Sequence, residues 1–161
     1  MSAPATLPAS AERVQRALAE AGLQATVRQM PDSTRTAEEA AAACGCAVGA
    51  IVKSLVFRAE ETGEGVLVLT SGANRVHEKR LGRALGLTLA RADAEFVRER
   101  TGYAIGGVPP LGHATAMRVV MDEALLGYPA VWAAAGTPFA VFEVAPAALR
   151  DATAAEVAAV A

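Results

Sequence analysis

Apolar residues near the start of the chain recur with the spacing of amphipathic helices. This spacing predicts a helix over residues 11–21, with Ser10 as its N-cap. A second helix begins at the capping box formed by Thr36 and Glu39, passes through a run of alanines and ends near Gly45. The first part of the chain is therefore predicted to be mostly helical.

A strand-type pattern dominates the segments that follow. β-Branched and aromatic residues fill positions 51–58 and 66–70, and the polar turn 60–65 between them predicts an antiparallel hairpin. Three further short strands are predicted over residues 118–121, 130–134 and 139–144.

Capping signals predict three more helices. Asn74 is the expected cap of a helix over 75–85, and Asp93 that of a helix over 94–100. The capping box over residues 153–156 predicts a C-terminal helix. Because helices and strands do not alternate strictly, their order favours an α+β fold, a mixed β-sheet surrounded by helices.

Length and composition set the class of protein. A chain of 161 residues suggests one domain, and we expect a disordered arm over residues 1–9 and a single domain over residues 10–161. With 53% hydrophobic and 20% charged residues, wholesale disorder is excluded. The net charge of −2 excludes nucleic-acid binding by bulk charge but leaves a local basic patch open.

The cysteines and the apolar segments indicate a compartment. The chain lacks an uncharged apolar run of about 18 residues, so no membrane span is expected, and the first residues do not resemble a signal peptide. Cys44 and Cys46 are too close for an unstrained disulfide, which favours reduced thiols and a cytoplasmic location. Together with His77 and His113 they lack a standard zinc spacing, so we expect no metal site.

Lys53 is the most informative single residue. It lies in the predicted strand 51–58, where alternate side chains share a face. That face also carries three apolar residues, Ile51, Leu55 and Phe57. Two interpretations remain open: a side chain that extends along its apolar stem to water at a sheet edge, or an ammonium fixed in a pocket that holds a carbonyl or anionic oxygen.

The segment 105–113 is rich in glycine and proline. Gly106 and Gly107 allow close backbone approaches, while Pro109 and Pro110 stiffen the chain. A rigid loop with free amide groups can polarise a substrate carbonyl, although such clusters alone are more typical of an ordinary surface turn.

Two weaker features could serve anionic ligands. Ser71 and Gly72 begin a turn between a strand and a helix, and its amides are candidates for binding phosphate or carboxylate, although a simple capped loop is more common. A basic run on the next predicted helix is a candidate contact for a polyanion: Arg75, Lys79, Arg80 and Arg83.

Three segments stand out together, in the order Ser33–Ala41, Ile51–Phe57 and Thr101–Gly112. They resemble the YbaK family of aminoacyl-tRNA deacylases, which are related to the editing insertion of bacterial prolyl-tRNA synthetases. The resemblance spans residues 10–158, and the strand lysine combined with the glycine–proline loop is its specific part.

The resemblance implies a trans-editing enzyme that hydrolyses the ester of mischarged tRNA, chiefly tRNA(Pro) carrying a small amino acid such as Ala, Ser, Thr or Cys. It implies that Lys53 is the essential catalytic residue. It also implies that a loop positions the substrate carbonyl and the terminal ribose, here formed by Gly106, Gly107, Val108 and Pro109. No metal, cofactor or protein nucleophile is implied, because the ester is already activated and the ribose 2′-hydroxyl or a water does the work.

The chain departs from the family pattern at Pro109, where the family often has serine before the second proline, and at Ser54 after the lysine. Four further residues are expected to line the substrate site: Thr36, Ser71, Gly72 and His113. The expected partners are the acceptor end of mischarged tRNA and prolyl-tRNA synthetase, with no membrane. The residues alone leave two other functions open, a non-catalytic module that binds aminoacyl-tRNA and an unrelated small-molecule hydrolase.

Overall fold

The computed structural model describes residues 7–161. In this part of the chain the helices are α1 (Ala9–Glu20), α2 (Ala37–Cys44), α3 (Glu78–Leu85), α4 (Ala94–Thr101) and α5 (Pro146–Thr153). The strands are β1 (Arg28–Gln29), β2 (Ile51–Ala59), β3 (Gly65–Ser71), β4 (Leu89–Arg91), β5 (Arg118–Asp122), β6 (Val131–Ala134), β7 (Ala140–Val144) and β8 (Glu156–Ala158). Two short 3₁₀ helices span Val48–Ala50 and Glu123–Gly127. The predicted disordered arm falls mainly on residues 1–6, outside the described residues, whereas Ala9 already begins α1.

The strands form one mixed sheet. Their order is β1-β7-β6-β2-β3-β5-β8, and β4 also pairs with β2. The hairpins β2–β3 and β6–β7 are antiparallel, whereas β6 joins β2, β5 joins β3 and β8 joins β5 in parallel. This arrangement confirms the predicted α+β fold with a mixed sheet and surrounding helices.

Both faces of the sheet are covered, as the burial of β3 demonstrates. All 7 residues of this strand are buried. Leu67 and Leu69 belong to one apolar cluster, whereas Val66 and Val68 belong to a second cluster together with Leu81 of α3. Burial on both faces explains why the strand reads as a continuous apolar run rather than as an alternating one.

A gap in the sheet lies beside the middle of β2. Strand β6 pairs with β2 at Ile51 and Val52, and β4 pairs with it from Phe57 to Ala59. Between these contacts, residues 53–56 pair with β3 on one side and with none of the described strands on the other. This edge of β2 is therefore open, and its four residues are half-buried.

Local capping signals located several helix ends correctly. The Thr36 hydroxyl accepts a hydrogen bond from the amide of Glu39 at 3.1 Å, as the capping box predicted. The Asp93 carboxylate accepts one from the amide of Phe96 at 2.8 Å and caps α4. Gly45 ends α2 in a left-handed conformation with φ of 68°.

Two predicted N-caps are wrong. Ser10 lies inside α1, which has Pro8 at its N-cap. Asn74 does not cap α3, because its side-chain amide donates to Asp122 instead, at 3.0 Å. The cap of α3 is His77, so the helix begins later than the sequence predicted.

The predicted C-terminal helix is also wrong. Thr153 ends α5, where its hydroxyl donates to the carbonyl of Leu149 at 2.8 Å, and the next element is the strand β8. Glu156 lies in β8, where its carboxylate accepts hydrogen bonds from Arg118 of β5 at 2.7 and 3.0 Å. Pairing of β8 with the sheet outweighs the local capping signal.

Candidate active site

Lys53 lies in the sheet gap, where its half-buried side chain lines a cavity of about 920 Å³. Its Nζ donates a hydrogen bond to the backbone carbonyl of Asn74 at 2.6 Å. Because an ammonium group has three N–H donors, two remain for a ligand. Of the two interpretations that the sequence left open, this geometry matches the ammonium held in a pocket.

Opposing effects act on the charge of Lys53. Burial is the largest of them and lowers the pKa of the ammonium. The carboxylates of Glu38 and Asp122 raise that pKa, whereas the guanidinium of Arg75 lowers it. The result is a pKa below that of free lysine, so this ammonium holds its proton less tightly than an exposed one.

Small residues form much of the cavity wall around Lys53. They come from the start of α2, the turn after β3, the loop after α4 and strand β6: Thr36, Ala37, Ala40, Gly72, Gly106, Val108 and Ala133. The hydroxyl of Thr36 is occupied by its capping interaction with Glu39, so Thr36 contributes shape to the wall. A cavity of this volume accommodates a ligand of nucleoside size.

Positive charge is concentrated at the cavity. Five cationic and two acidic side chains line it: Arg35, Lys53, Arg75, Lys79, Arg91, Glu38 and Glu78. Arg75 and Lys79 belong to the basic run that the sequence indicated. Because the chain as a whole has a net charge of −2, this local excess favours an anionic ligand.

Gly106 brings the glycine–proline loop to the cavity. Its backbone has φ of +99°, a conformation that disfavours side chains. A Cβ there would also lie 3.2 Å from the side chain of Arg35, which lines the same cavity. Gly106 and Val108, two residues further along the loop, therefore adjoin the space that contains the Lys53 ammonium.

Gly107 faces the protein interior instead. Its amide donates to the carbonyl of Ala104 at 3.1 Å, and its carbonyl accepts from the amide of Gly136 at 2.8 Å. Gly107, which the resemblance placed at the substrate, is therefore paired within the protein and does not line the cavity. The absence of a side chain there lets the loop contact the turn between β6 and β7.

Pro109 and His113 belong to the glycine–proline segment but do not line the cavity. Pro109 is buried, and its carbonyl accepts a hydrogen bond from His113 Nε2 at 2.7 Å. Burial lowers the pKa of His113, and the bond to Pro109 opposes that shift. We expected both residues at the substrate, whereas the structure places them where they support the loop.

The turn after β3 has no free amide at its first two positions. The hydroxyl of buried Ser71 donates to the Gly49 carbonyl at 2.7 Å, and its amide donates to Asp122 at 3.0 Å. The amide of Gly72 donates to the carbonyl of Ile51 at 2.7 Å. Of the two interpretations of this turn, the paired amides match the simple loop that the sequence favoured over a phosphate or carboxylate site.

Gly72 nevertheless lines the cavity. A Cβ at this position would overlap the carbonyl oxygen of Val48 and lie 3.0 Å from the side chain of Ala37. Glycine is required here because the chain after β3 packs against the 3₁₀ helix Val48–Ala50 and against the start of α2.

Residues 31–152 match the family model of the aminoacyl-tRNA editing domain. The chain belongs to the aminoacyl-tRNA editing domain family. The match covers most of the chain, including Lys53 and the glycine–proline loop. It confirms the predicted YbaK-like assignment and the predicted class of enzyme, an aminoacyl-tRNA deacylase.

Individual relatives agree with this assignment. The editing domain is 31% identical over 128 residues to the uncharacterized protein YwhH of Bacillus subtilis, covering 78% of this chain and 79% of that protein. A solved structure described as a candidate trans-editing enzyme for prolyl tRNA synthetase is 52% identical, with a TM-score of 0.90 and coverage of 96% of this chain and 98% of the other. A proline–tRNA ligase of Brachyspira hyodysenteriae is 35% identical over 75 residues, which are 46% of this chain but 13% of the ligase.

The two cysteines of the editing domain have the properties of unreactive thiols. Both are free and half-buried. Burial and the neighbouring Cys46 raise the pKa of Cys44 to about 11, and burial also raises the pKa of Cys46.

Within residues 7–161, no three His, Cys, Asp or Glu side chains come together as a metal-binding group. No helix in the same part of the chain is long and apolar enough to cross a membrane.

Three residues at the site were not predicted to belong to it from the sequence. Asn74 was assigned to a helix cap, whereas its carbonyl holds Lys53. Glu38 faces Lys53 from α2 but lies in an alanine-rich helix that gives no sign of it. Ser54 also lines the cavity, and its buried hydroxyl has no hydrogen-bond partner among the described residues. Only Ser54, as a polar residue beside the lysine, carried a signal in the sequence.

Proposed function

We propose that this editing domain acts in trans, in the cytoplasm, as a deacylase of mischarged tRNA(Pro) that carries a small amino acid such as Ala, Ser, Thr or Cys. The observation that supports this most is the Lys53 ammonium, held at 2.6 Å by the Asn74 carbonyl in a cavity that Gly106 also lines. The similarity to a proline–tRNA ligase supports tRNA(Pro) as the substrate. The similarity to a candidate trans-editing enzyme supports action in trans.

The role of Lys53 in this proposal is electrostatic. A water attacks the aminoacyl carbonyl carbon, and negative charge develops on the carbonyl oxygen. When the bond between that carbon and the ribose oxygen breaks, tRNA leaves with a free hydroxyl, and water provides the second oxygen of the released amino acid. An ammonium already in position, with two N–H groups free, stabilises the developing charge without reorganisation.

The remaining cations of the cavity suit the acceptor end of a tRNA. Arg35, Arg75, Lys79 and Arg91 provide positive charge around Lys53 for the phosphates of the last nucleotides. Contacts to a few phosphates are sufficient for a chain of net charge −2, because binding then depends on local and not on total charge. The cavity volume of about 920 Å³ leaves room for a terminal nucleoside together with its aminoacyl group.

The need for such an activity follows from the size of the competing amino acids. A synthetase pocket that accepts proline cannot exclude smaller side chains by fit, since one methylene group is worth only about 1–3 kcal/mol of discrimination. A second site that hydrolyses the wrong ester supplies the missing accuracy.

A deacylation panel tests the proposal. Ala-, Ser-, Thr- and Cys-tRNA(Pro) are each mixed with excess protein, and Pro-tRNA(Pro) is the matched control. We expect release of at least one small amino acid well above the uncatalysed rate, with Pro-tRNA(Pro) left intact. Release no faster than in buffer for all four mischarged tRNAs, or equal release of proline, would overturn the proposal.

A further inference from the structure

A buried carboxylate lies behind the candidate active site. Asp122, at the end of β5, is 1% exposed and takes part in none of the ion pairs found among residues 7–161. Its Oδ2 accepts hydrogen bonds from the amide of Ser71 and from Asn74 Nδ2, both at 3.0 Å, and its Oδ1 accepts one from the amide of Ala124 at 3.0 Å. Hydrogen bonds to an ionised group are stronger than those between neutral groups, so this carboxylate fixes its partners firmly.

Asn74 connects this carboxylate to the cavity. Its side-chain amide is the group that donates to Asp122, and its backbone carbonyl is the group that accepts from Lys53 at 2.6 Å. Its own amide donates to the carbonyl of Ser71 at 2.9 Å, which closes the turn. The position of the Asn74 carbonyl, which holds the Lys53 ammonium, therefore depends on the hydrogen bond from the Asn74 side chain to Asp122.

We propose that Asp122 is a positioning residue of the editing site: its carboxylate holds the side chain of Asn74, and the backbone carbonyl of Asn74 in turn holds the ammonium of Lys53. This inference rests on the proposed function, in which that ammonium stabilises the reacting ester. A lysine side chain has many rotamers, and a fixed acceptor selects the one in which the ammonium adjoins the cavity. Asp122 touches neither substrate nor reacting atoms in this arrangement.

The negative charge of Asp122 also affects the pKa of Lys53. The charged groups that act on the ammonium are Glu38 from α2, Arg75 from the turn after β3 and Asp122 from the end of β5. Removal of the Asp122 charge takes away one of the two carboxylates that raise the pKa of Lys53. The ammonium of an Asp122→Asn variant therefore loses its proton at a lower pH than that of the wild type.

Two variants separate the effect of the hydrogen bond between Asn74 and Asp122 from the effect of the Asp122 charge. Asp122→Asn removes the charge and one acceptor, whereas Asn74→Ala removes the side-chain bond but keeps both the backbone carbonyl and the Asp122 charge. Glu123→Gln is the matched control, because it neutralises an exposed carboxylate one residue further along the chain. We expect the single-turnover rate of deacylation to fall about tenfold to a hundredfold in both test variants, since displacement of a catalytic group by about 1 Å has effects of this size. The control keeps the wild-type rate.

A spectroscopic measurement follows Lys53 without reference to activity. The chain contains two lysines, Lys53 and Lys79, so ¹³C-lysine labelling gives two side-chain signals that a Lys79→Arg variant assigns. In the wild type we expect the two Cε protons of Lys53 to have distinct shifts, because its ammonium is held, and those of exposed Lys79 to coincide. In Asn74→Ala the Lys53 shifts merge. In Asp122→Asn they merge and the titration of Lys53 also moves to lower pH.

The combined outcomes distinguish this inference from the proposed function. Circular dichroism establishes whether each variant is folded. If Asp122→Asn does not fold, Asn74→Ala still tests the inference, because it keeps two of the three Asp122 hydrogen bonds. Wild-type Lys53 spectra and titration in a folded Asn74→Ala and a folded Asp122→Asn would overturn the inference, whether or not the protein deacylates tRNA. A wild-type protein that shows the expected spectra but hydrolyses none of the mischarged tRNAs would overturn the proposed function and leave the positioning of Lys53 by Asp122 supported.

Discussion

Replacement of Gly107 by alanine separates a packing role of the glycine–proline loop from a substrate-contact role. A Cβ at this position would lie 2.8 Å from the carbonyl carbon of Gly136 and 2.8 Å from the amide nitrogen of Thr137. These are backbone atoms, so they cannot turn aside as a flexible side chain can. The added methyl group must push the loop away from the β6–β7 turn and weaken the 2.8 Å bond from the Gly136 amide to the Gly107 carbonyl.

Overpacking of this kind lowers the free energy of unfolding by about 1–3 kcal/mol. For a chain of this length, that loss corresponds to a decrease of about 2–12 °C in Tm. Urea and thermal unfolding measure it, and Gly127→Ala is the matched control, because no heavy atom lies within 4 Å of a Cβ there. Deacylation is expected to fall too, since Gly106 and Val108 move with the loop. A Gly107→Ala protein with wild-type stability but no activity would refute the packing role and indicate a direct substrate contact.

Three further predictions concern single groups. The free energy of unfolding decreases as the pH falls from neutral through 6.5, because the lowered pKa of folded His113 means that the unfolded chain takes up the proton first; an equally steep decrease in His113→Gln would contradict this. Cys44, with a pKa of about 11, reacts with iodoacetamide at neutral pH far more slowly than free cysteine, and alkylation at the rate of the free amino acid would show that the thiol is activated. Ser54→Ala leaves the free energy of unfolding unchanged or raises it by up to about 1 kcal/mol, since the deleted hydroxyl has no partner among the described residues, whereas a clear loss in urea unfolding would reveal a bond that the hydroxyl makes.

Features that depend on neighbours in sequence were predictable. The β2–β3 hairpin follows from two β-branched runs around a polar turn, and the start of α2 follows from the capping box of Thr36 and Glu39. The half-buried position of Lys53 follows from its place on an apolar face of a strand. In each case the interaction that decides the structure lies within a few residues of the signal.

Features that depend on distant strands were not predictable. The open edge at residues 53–56 exists because β6 and β4 pair with opposite ends of β2, and both strands are far from it in sequence. The two loop glycines look equivalent in the sequence, yet the contact of Gly107 with Gly136 makes only Gly106 a lining residue. Asn74 carries a strong capping signal, but a partner 48 residues away, Asp122, takes its side chain.

The central claim is that the positive charge of Lys53 stabilises the reacting ester, and single-turnover hydrolysis of the best mischarged tRNA(Pro) by Lys53→Met tests it most directly. This substitution keeps an apolar stem in the sheet gap and removes the ammonium. Arg150→Met is the control, because Arg150 is a surface cation that pairs with Asp151 outside the cavity lining. We predict a loss of about a hundredfold or more in the rate for folded Lys53→Met, as expected when a group that stabilises an oxyanion is removed, and no loss for the control. Hydrolysis by folded Lys53→Met at the wild-type rate would contradict the claim.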